Sequence, residues 1–180
     1  MRGLYLVTPN WDDTERLLQV TEAGLRGGAV LVQYRHKEAD AALRFEQAGA
    51  LLALCRRHRT PLVINDHLAL CLALDADGLH LGGADGDLAL AVKAAQAGAS
   101  YVAFGGFYPS PVKRYDFVTQ PDVLVTARAA MKLPLVVIGG MTPANAAPLV
   151  ARGASMVAVI TSVYGAGDPE GAARVLTGLF

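Results

Sequence analysis

The sequence predicts an α/β fold built on a parallel sheet and closed as a TIM (β/α)8 barrel. Three observations carry that prediction. Short apolar runs rich in β-branched and aromatic residues recur along the 180 residues, at 4–8, 30–34, 62–65, 78–81, 101–105, 135–138 and 157–160. They are continuous rather than alternating, the pattern of strands covered on both faces. Helical patterns separate them, so strand and helix alternate throughout. A right-handed series of such units closes as a barrel or opens as a doubly wound sheet. The open sheet would favour a Gly-x-Gly-x-x-Gly turn after the first strand, and none stands there.

The elements follow in order. The first strand, at 4–8, leads into a helix at 12–26. The strand at 30–34 follows the joint Gly27-Gly28-Ala29, where glycine suits the left-handed end of a helix. Helix 39–58 leads to strand 62–65, and a short helix at about 68–74 leads to strand 78–81. Helix 87–97 ends at Gly98 and runs into strand 101–105. Helix 120–131 leads to strand 135–138. Helix 143–151 begins at Pro143, which fits a first helical turn, and ends at Gly153 before strand 157–160. Helix 169–179 begins at Pro169. Seven units result where a full barrel has eight. No linker or low-complexity stretch divides the chain, so residues 1–180 read as a single βα-barrel domain.

Composition narrows the function. Apolar residues make up 53% and charged residues 18%, which excludes intrinsic disorder. The 16 Lys and Arg balance the 16 Asp and Glu, which argues against a nucleic-acid or membrane-surface binder. Any anionic ligand must then be held by a local cluster. Every apolar run is interrupted before transmembrane length, and the N-terminal segment reads as a strand rather than a signal peptide. Cys55 and Cys71 show no metal-ligand spacing and read as buried thiols in a reducing compartment. The expectation is a cytoplasmic protein acting on small molecules.

In a βα barrel the chemistry sits at the carboxyl ends of the strands. Alternation points Gln33, Arg35 and Lys37 the same way at the end of the second strand. Two cations beside an amide suit a phosphate or pyrophosphate. Asn65-Asp66 and Asp85 end the next two strands. Singly they suit a turn and a helix cap; together, opposite a basic cluster, they suit a Mg²⁺ ion bridging a pyrophosphate. Residues 105–113 form a proline-ordered loop carrying Ser110 and Lys113, which reads as a flap closing on an anion. Gly139-Gly140 and Thr161-Ser162 end the last two strands. Backbone N–H groups and hydroxyls there suit a second phosphate. His80 reads as a hydrogen-bonded structural histidine. No Ser-His-Asp ordering or His/Cys metal cage stands out.

These motifs, taken in order, resemble the thiamine phosphate synthase family. They are Tyr5-Leu6-Val7-Thr8, Gln33-x-Arg35-x-Lys37, Asn65-Asp66, Asp77-Gly78-Leu79-His80-Leu81-Gly82-x-x-Asp85, Tyr108-Pro109-Ser110-x-x-Lys113, Ile138-Gly139-Gly140 and Ala158-Val159-Ile160-Thr161. The resemblance covers nearly the whole chain. It implies a TIM barrel that uses Mg²⁺ to join hydroxymethylpyrimidine diphosphate to a thiazole phosphate, releasing pyrophosphate. It also implies roles. Gln33, Arg35, Lys37 and Asn65 would bind the pyrimidine diphosphate, and Asp66 and Asp85 the metal. Lys113 with Ser110 would close over pyrophosphate. Gly139, Gly140, Thr161 and Ser162 would hold the thiazole phosphate. Arg35, Lys37 and Lys113 would be the catalytic cations. No nucleic-acid or membrane partner is implied, and a homo-oligomer is compatible with the reading.

Three departures stand out. The family usually has Gln where Gly83 stands, and a second hydroxyl where Val112 stands. The third is a gap: residues 90–98 already resemble the end of the helix one unit further on, so a βα unit in the strand-five region is absent from the sequence. The expectation is that residues are omitted, with a break at Ala89–Leu90 and a strand-wide slot beside it. Two other functions compete. One is a related thiazole tautomerase. The other is a non-catalytic phosphate-ligand-binding barrel.

Overall fold

A computed structural model describes residues 1–82, 87–113 and 116–180. Its strands are β1 (Gly3–Val7), β2 (Leu31–Tyr34), β3 (Leu62–Asn65), β4 (Gly78–His80), β5 (Val102–Phe104), β6 (Leu135–Val137) and β7 (Met156–Val159). The helices are α1 (Thr14–Arg26), α2 (Ala41–Arg57), α3 (Leu68–Leu74), α4 (Leu88–Gln96), α5 (Val123–Ala130), α6 (Pro143–Ala151), α7 (Thr161–Tyr164) and α8 (Pro169–Thr177). All seven strands join one parallel sheet in the order β4-β3-β2-β1-β7-β6-β5.

Helix starts are set by caps. Asp13, Asp40, Asp87 and Asp168 each accept a backbone N–H from the first turn of α1, α2, α4 and α8. Thr142 and Asn145 form a reciprocal capping box on α6. Three of the helix-to-strand joints turn on a glycine at positive φ: Gly28, Gly98 and Gly153.

Strands β1, β2, β6 and β7 bury both faces, but against different things. Leu4 and Leu6 of β1 belong to the large core between sheet and helices, with Leu51, Leu54, Leu124 and Leu149. Tyr5 and Val7 belong to a second cluster with Leu31, Val63, Val136, Met156 and Ala158. That cluster draws buried residues from β1, β2, β3, β6 and β7, with Ala103 of β5 packed against it, so the sheet curls around it. The fold is thus a curled parallel α/β sheet of TIM-like type.

The sheet departs from a closed eight-stranded barrel. Among the described residues it has seven strands, and β4 and β5 are its two unpaired edges. Helix α4 links them directly. The expected break at Ala89–Leu90 is absent. Ala91 N–H bonds the Asp87 carbonyl at 3.1 Å, and Asp87 Oδ1 accepts from Ala89 and Leu90 N–H. Leu-Ala-Leu-Ala-Val-Lys-Ala-Ala-Gln is a run of good helix formers and propagates through the join. A space of about 600 Å³ lies beside α4, lined by residues of β4 and β5 and by Met1, Leu31 and Pro61.

Candidate active site

The strand ends are held in place by backbone-directed contacts. Thr8, fully buried at the end of β1, bridges to β2. Its Oγ1 donates to the Arg35 carbonyl at 3.1 Å and accepts the Arg35 N–H at 2.8 Å. Lys37 N–H is bound by the Asn10 side chain at 3.2 Å. His36 points away and is structural: its Nδ1 accepts from the N–H groups of Glu38 and Ala39, and its Nε2 contacts Asp12 at 3.1 Å.

At the end of β3, Asp66 adopts φ +62°, a left-handed turn. Its N–H bonds the His80 carbonyl at 2.9 Å. Its carboxylate accepts from Asn65 Nδ2 at 2.8 Å and from Gly82 N–H at 3.3 Å. The side chain is exposed. The loop after β5 is pinned at its base, where Thr119 Oγ1 donates to the Gly105 carbonyl at 2.5 Å and Thr119 N–H to Gly106 at 3.0 Å. Between those anchors lie Pro109, Ser110 and Lys113. Gly140, at φ +60°, lies so close to that loop that an added Cβ would sit 2.2 Å from the Pro109 carbonyl oxygen. Asn145 Nδ2 donates to the Gly140 carbonyl at 2.9 Å, so the capping box of α6 also fixes the glycine loop.

One cavity of about 140 Å³ gathers these ends. Gln33, Arg35, Lys37, Asn65 and Asp66 line one side. Ser110 and Lys113 line it from the loop after β5. Gly139, Gly140, Met141 and Thr161 line it from the loops after β6 and β7. Ser162 does not line it; its hydroxyl donates to the Met141 carbonyl and joins the two late loops. Asp85 and Gly83 lie outside the described residues. Among the described residues no cluster of three or more His, Cys, Asp or Glu side chains gathers.

The cavity floor holds a polar chain that sequence reasoning missed. Gln33, only 4% exposed, donates from Nε2 to the Tyr5 hydroxyl at 2.6 Å. Tyr5 and Tyr101 hydroxyls are 3.0 Å apart, and Tyr101 reaches His80 Nδ1 at 2.8 Å. The His80 and Tyr101 rings stack, with centroids 5.8 Å apart. Burial pushes the Tyr5 hydroxyl well above the ordinary tyrosine range, helped by Tyr101, and burial also raises Tyr101. Both phenols stay protonated near neutral pH and act as hydrogen-bond relays. One signal was available: buried tyrosines seek partners, and Tyr5 shares the inward parity of Val7.

Cys55 and Cys71 are both buried, and burial pushes the Cys55 thiol up to about 12. Neither is a reactive thiolate. Among the described residues no helix is long and apolar enough to cross a membrane.

Comparison with known proteins gives the following. A family model described as thiamine monophosphate synthase matches residues 4–93 and again 86–163. A thiamine-phosphate synthase of Janthinobacterium sp. (strain Marseille) is 56% identical over 201 aligned residues, covering 100% of this chain and 97% of the relative. One from Methylobacillus flagellatus is 45% identical over 202 residues, covering 100% and 96%. The solved thiamine phosphate pyrophosphorylase from Pyrococcus furiosus superposes with a TM-score of 0.86 at 28% identity, over 98% of this chain and 94% of that one. The first alignment, at 201 positions against 180 residues, is longer than this chain by 201 minus 180, or 21.

Proposed function

The chain belongs to the thiamine monophosphate synthase family, and we propose that it joins 4-amino-2-methyl-5-hydroxymethylpyrimidine diphosphate to 4-methyl-5-(2-hydroxyethyl)thiazole phosphate, giving thiamine phosphate and pyrophosphate. The observation that carries the site reading is the single cavity with Arg35, Lys37 and Lys113 around one part and Gly139, Gly140 and Thr161 at another. Such an arrangement suits two phosphorylated substrates held side by side.

In this reading Arg35 and Lys37 grip the diphosphate, with Asn65 beside them. Lys113 and Ser110 close over it from the loop after β5. The C–O bond to the diphosphate breaks, and the thiazole nitrogen forms the new bond to the same carbon. The three cations stabilise the charge that collects on the departing pyrophosphate. No side-chain nucleophile is required. Gln33 commits its Nε2 to Tyr5, which leaves Oε1 to accept from a substrate N–H and orient the pyrimidine. Gly139, Gly140 and Thr161 hold the thiazole phosphate through N–H and hydroxyl donors. Ser162, expected to join them, holds Met141 instead and acts on the loop from behind.

Mg²⁺ fits the donors present. It is commonly held by one or two carboxylates together with substrate phosphates and water. Asp66 is an exposed carboxylate at the cavity, oriented by Asn65 and Gly82. Asp66, together with Asp85, would hold the ion, which when bound neutralises diphosphate charge. The protein is read as cytoplasmic, with small molecules rather than nucleic acid or membrane as partners.

We also read the fold as an eight-unit barrel lacking one βα unit. Residues 86–93 are matched twice, as the end of one family segment and the start of the next. The surplus of 21 aligned positions in the Janthinobacterium relative is about the size of one such unit. The test of function is a coupling assay with both substrates, with and without Mg²⁺. Thiamine phosphate formed only with the metal supports the synthase. Turnover of the thiazole phosphate alone without metal would mean a tautomerase, and binding without product a non-catalytic barrel.

A further inference from the structure

The polar chain under the cavity has a direction, and that direction decides which end of the Gln33 amide faces the substrate. The amide has two unlike ends, an oxygen that accepts and an NH₂ that donates. Nε2 donates to the Tyr5 hydroxyl at 2.6 Å. Among the described residues Oε1 takes no hydrogen bond, and it is open to the cavity that Gln33 lines. The Gln33 backbone is paired on both sides, to Val7 and to Val63. Only the side-chain amide is left to turn.

A count of protons fixes the sense of the chain. Three gaps separate Gln33, Tyr5, Tyr101 and His80, of 2.6, 3.0 and 2.8 Å. Each gap takes one proton, and each phenol owns one. Once Gln33 Nε2 fills the first gap, the Tyr5 proton fills the second and the Tyr101 proton the third, with His80 Nδ1 as the acceptor. The acidities agree. Burial raises both phenols; beyond that, their shared hydrogen bond raises Tyr5 and lowers Tyr101, as suits a donor and its acceptor. The opposite sense would run from His80 to Gln33. It would put Oε1 against Tyr5 and leave Nε2 toward the cavity.

Tyr101 is the link that keeps the two senses apart. Its ring stacks on His80 at 5.8 Å and meets Tyr5 edge-on at 6.0 Å. It is not among the residues that line the catalytic cavity, whereas Tyr5 and Gln33 are. We propose that Tyr101 is a positioning residue: through Tyr5 it holds Gln33 Oε1 toward the substrate, and so selects a pyrimidine with a 4-amino donor over one with a 4-oxo acceptor. The ligand it names rests on the synthase reading of the site. An oxygen facing an amino group makes a hydrogen bond; facing an oxo group, it leaves two acceptors opposed. In Tyr101→Phe the Tyr5 proton loses its acceptor. It regains one when the Gln33 amide turns, so that Tyr5 donates to Oε1 and Nε2 faces the substrate.

The probes are 4-amino-2-methyl-5-hydroxymethylpyrimidine diphosphate and its 4-oxo counterpart. Each is titrated into the intact protein with Mg²⁺ and without thiazole phosphate, and each is then assayed for coupling. The parent should bind the amino form tighter by about 100-fold or more. Tyr101→Phe should shrink that ratio by about tenfold or more, weakening the amino form and strengthening the oxo form. In Gln33→Ala the ratio should already be small, and adding Tyr101→Phe should leave it unchanged. Equal weakening of both ligands by Tyr101→Phe would give Tyr101 a packing role and overturn the proposal. A parent without preference overturns it too, as does a Tyr101→Phe effect on the ratio that persists in the Gln33→Ala background. Coupling judges the synthase reading separately. A parent that shows the binding pattern but forms no product is not a synthase and keeps the relay; one that couples, and whose ratio survives Tyr101→Phe, is a synthase without it.

Discussion

Replacing Gly140 by alanine separates two effects that the structure makes unequal. The first is conformational. At φ +60° a Cβ-bearing residue is strained by about 1–2 kcal/mol. In a chain of this length about 1 kcal/mol lowers the thermal midpoint by roughly 2–4 °C. The second is steric. The new Cβ would lie 2.2 Å from the Pro109 carbonyl oxygen and 3.0 Å from Tyr108 Cβ. Relief to an ordinary contact of 3.4 Å needs a shift of 3.4 minus 2.2, or 1.2 Å. The backbone that must move carries Ser110 and Lys113 in the loop after β5. Misplacing reacting groups by about 1 Å costs on the order of 100-fold in rate. Gly98→Ala is the matched control. Gly98 has φ +92° and nothing within 4 Å of its added Cβ, and it is not among the residues that line the cavity. Both variants should lose a few degrees of thermal midpoint; only Gly140→Ala should lose kcat/KM in the coupling assay, by about 10- to 100-fold. A Gly140→Ala enzyme with kcat/KM within about twofold of the parent would refute the reasoning, because it would mean that the loop after β5 need not sit where it does.

Further expectations follow from the same site. Asp66→Asn should lower Mg²⁺-dependent coupling by about one to several orders of magnitude with little change in thermal unfolding, and chelation should abolish coupling in the parent; parental rates and metal dependence in the variant would remove Asp66 from the site. Lys113→Ala should lower kcat more than it raises KM for the thiazole phosphate; an effect confined to that KM would put Lys113 in the other subsite. Thr8→Val breaks both hydrogen bonds to Arg35 in a fully buried position and should cost about 1–3 kcal/mol by denaturant unfolding. It should also raise KM for the diphosphate substrate, and an unchanged KM would show that Arg35 does not depend on the clamp.

The elements that were legible had local causes. Helices at 68–74 and 143–151 and the strand at 62–65 coincide with α3, α6 and β3. Other strands were read one residue too far, through Thr8, Leu81 and Ile138, because apolar or β-branched character continues past the last ladder pair into the cavity rim. Helix α5 begins at Val123 rather than near 120, since residues 121–122 form a turn. Helix α7 was missed: four residues carry no helical period, and Thr161-Ser162 read as a strand-end loop. At the join 89–90 the family pattern is discontinuous, which predicts a break, while the helix-forming composition is continuous and α4 runs through it.

The site divides in the same way. Strand parity brought Gln33, Arg35 and Lys37 to attention, since a period of two needs only neighbours in sequence. The polar chain beneath them could not be read so. Tyr5 and Tyr101 are separated by 96 positions, and His80 and Tyr101 by 21. They meet only because the sheet curls until its two edges face one another. That same curl sets the proposed division of labour. Strands β2 and β3 bring Arg35, Lys37 and Asp66 to one flank, and β6 and β7 bring the glycine loops to the other. The space beside α4 is lined by β4, beside Asp66, and by β5, whose following loop carries Lys113. Both neighbours are assigned to the diphosphate.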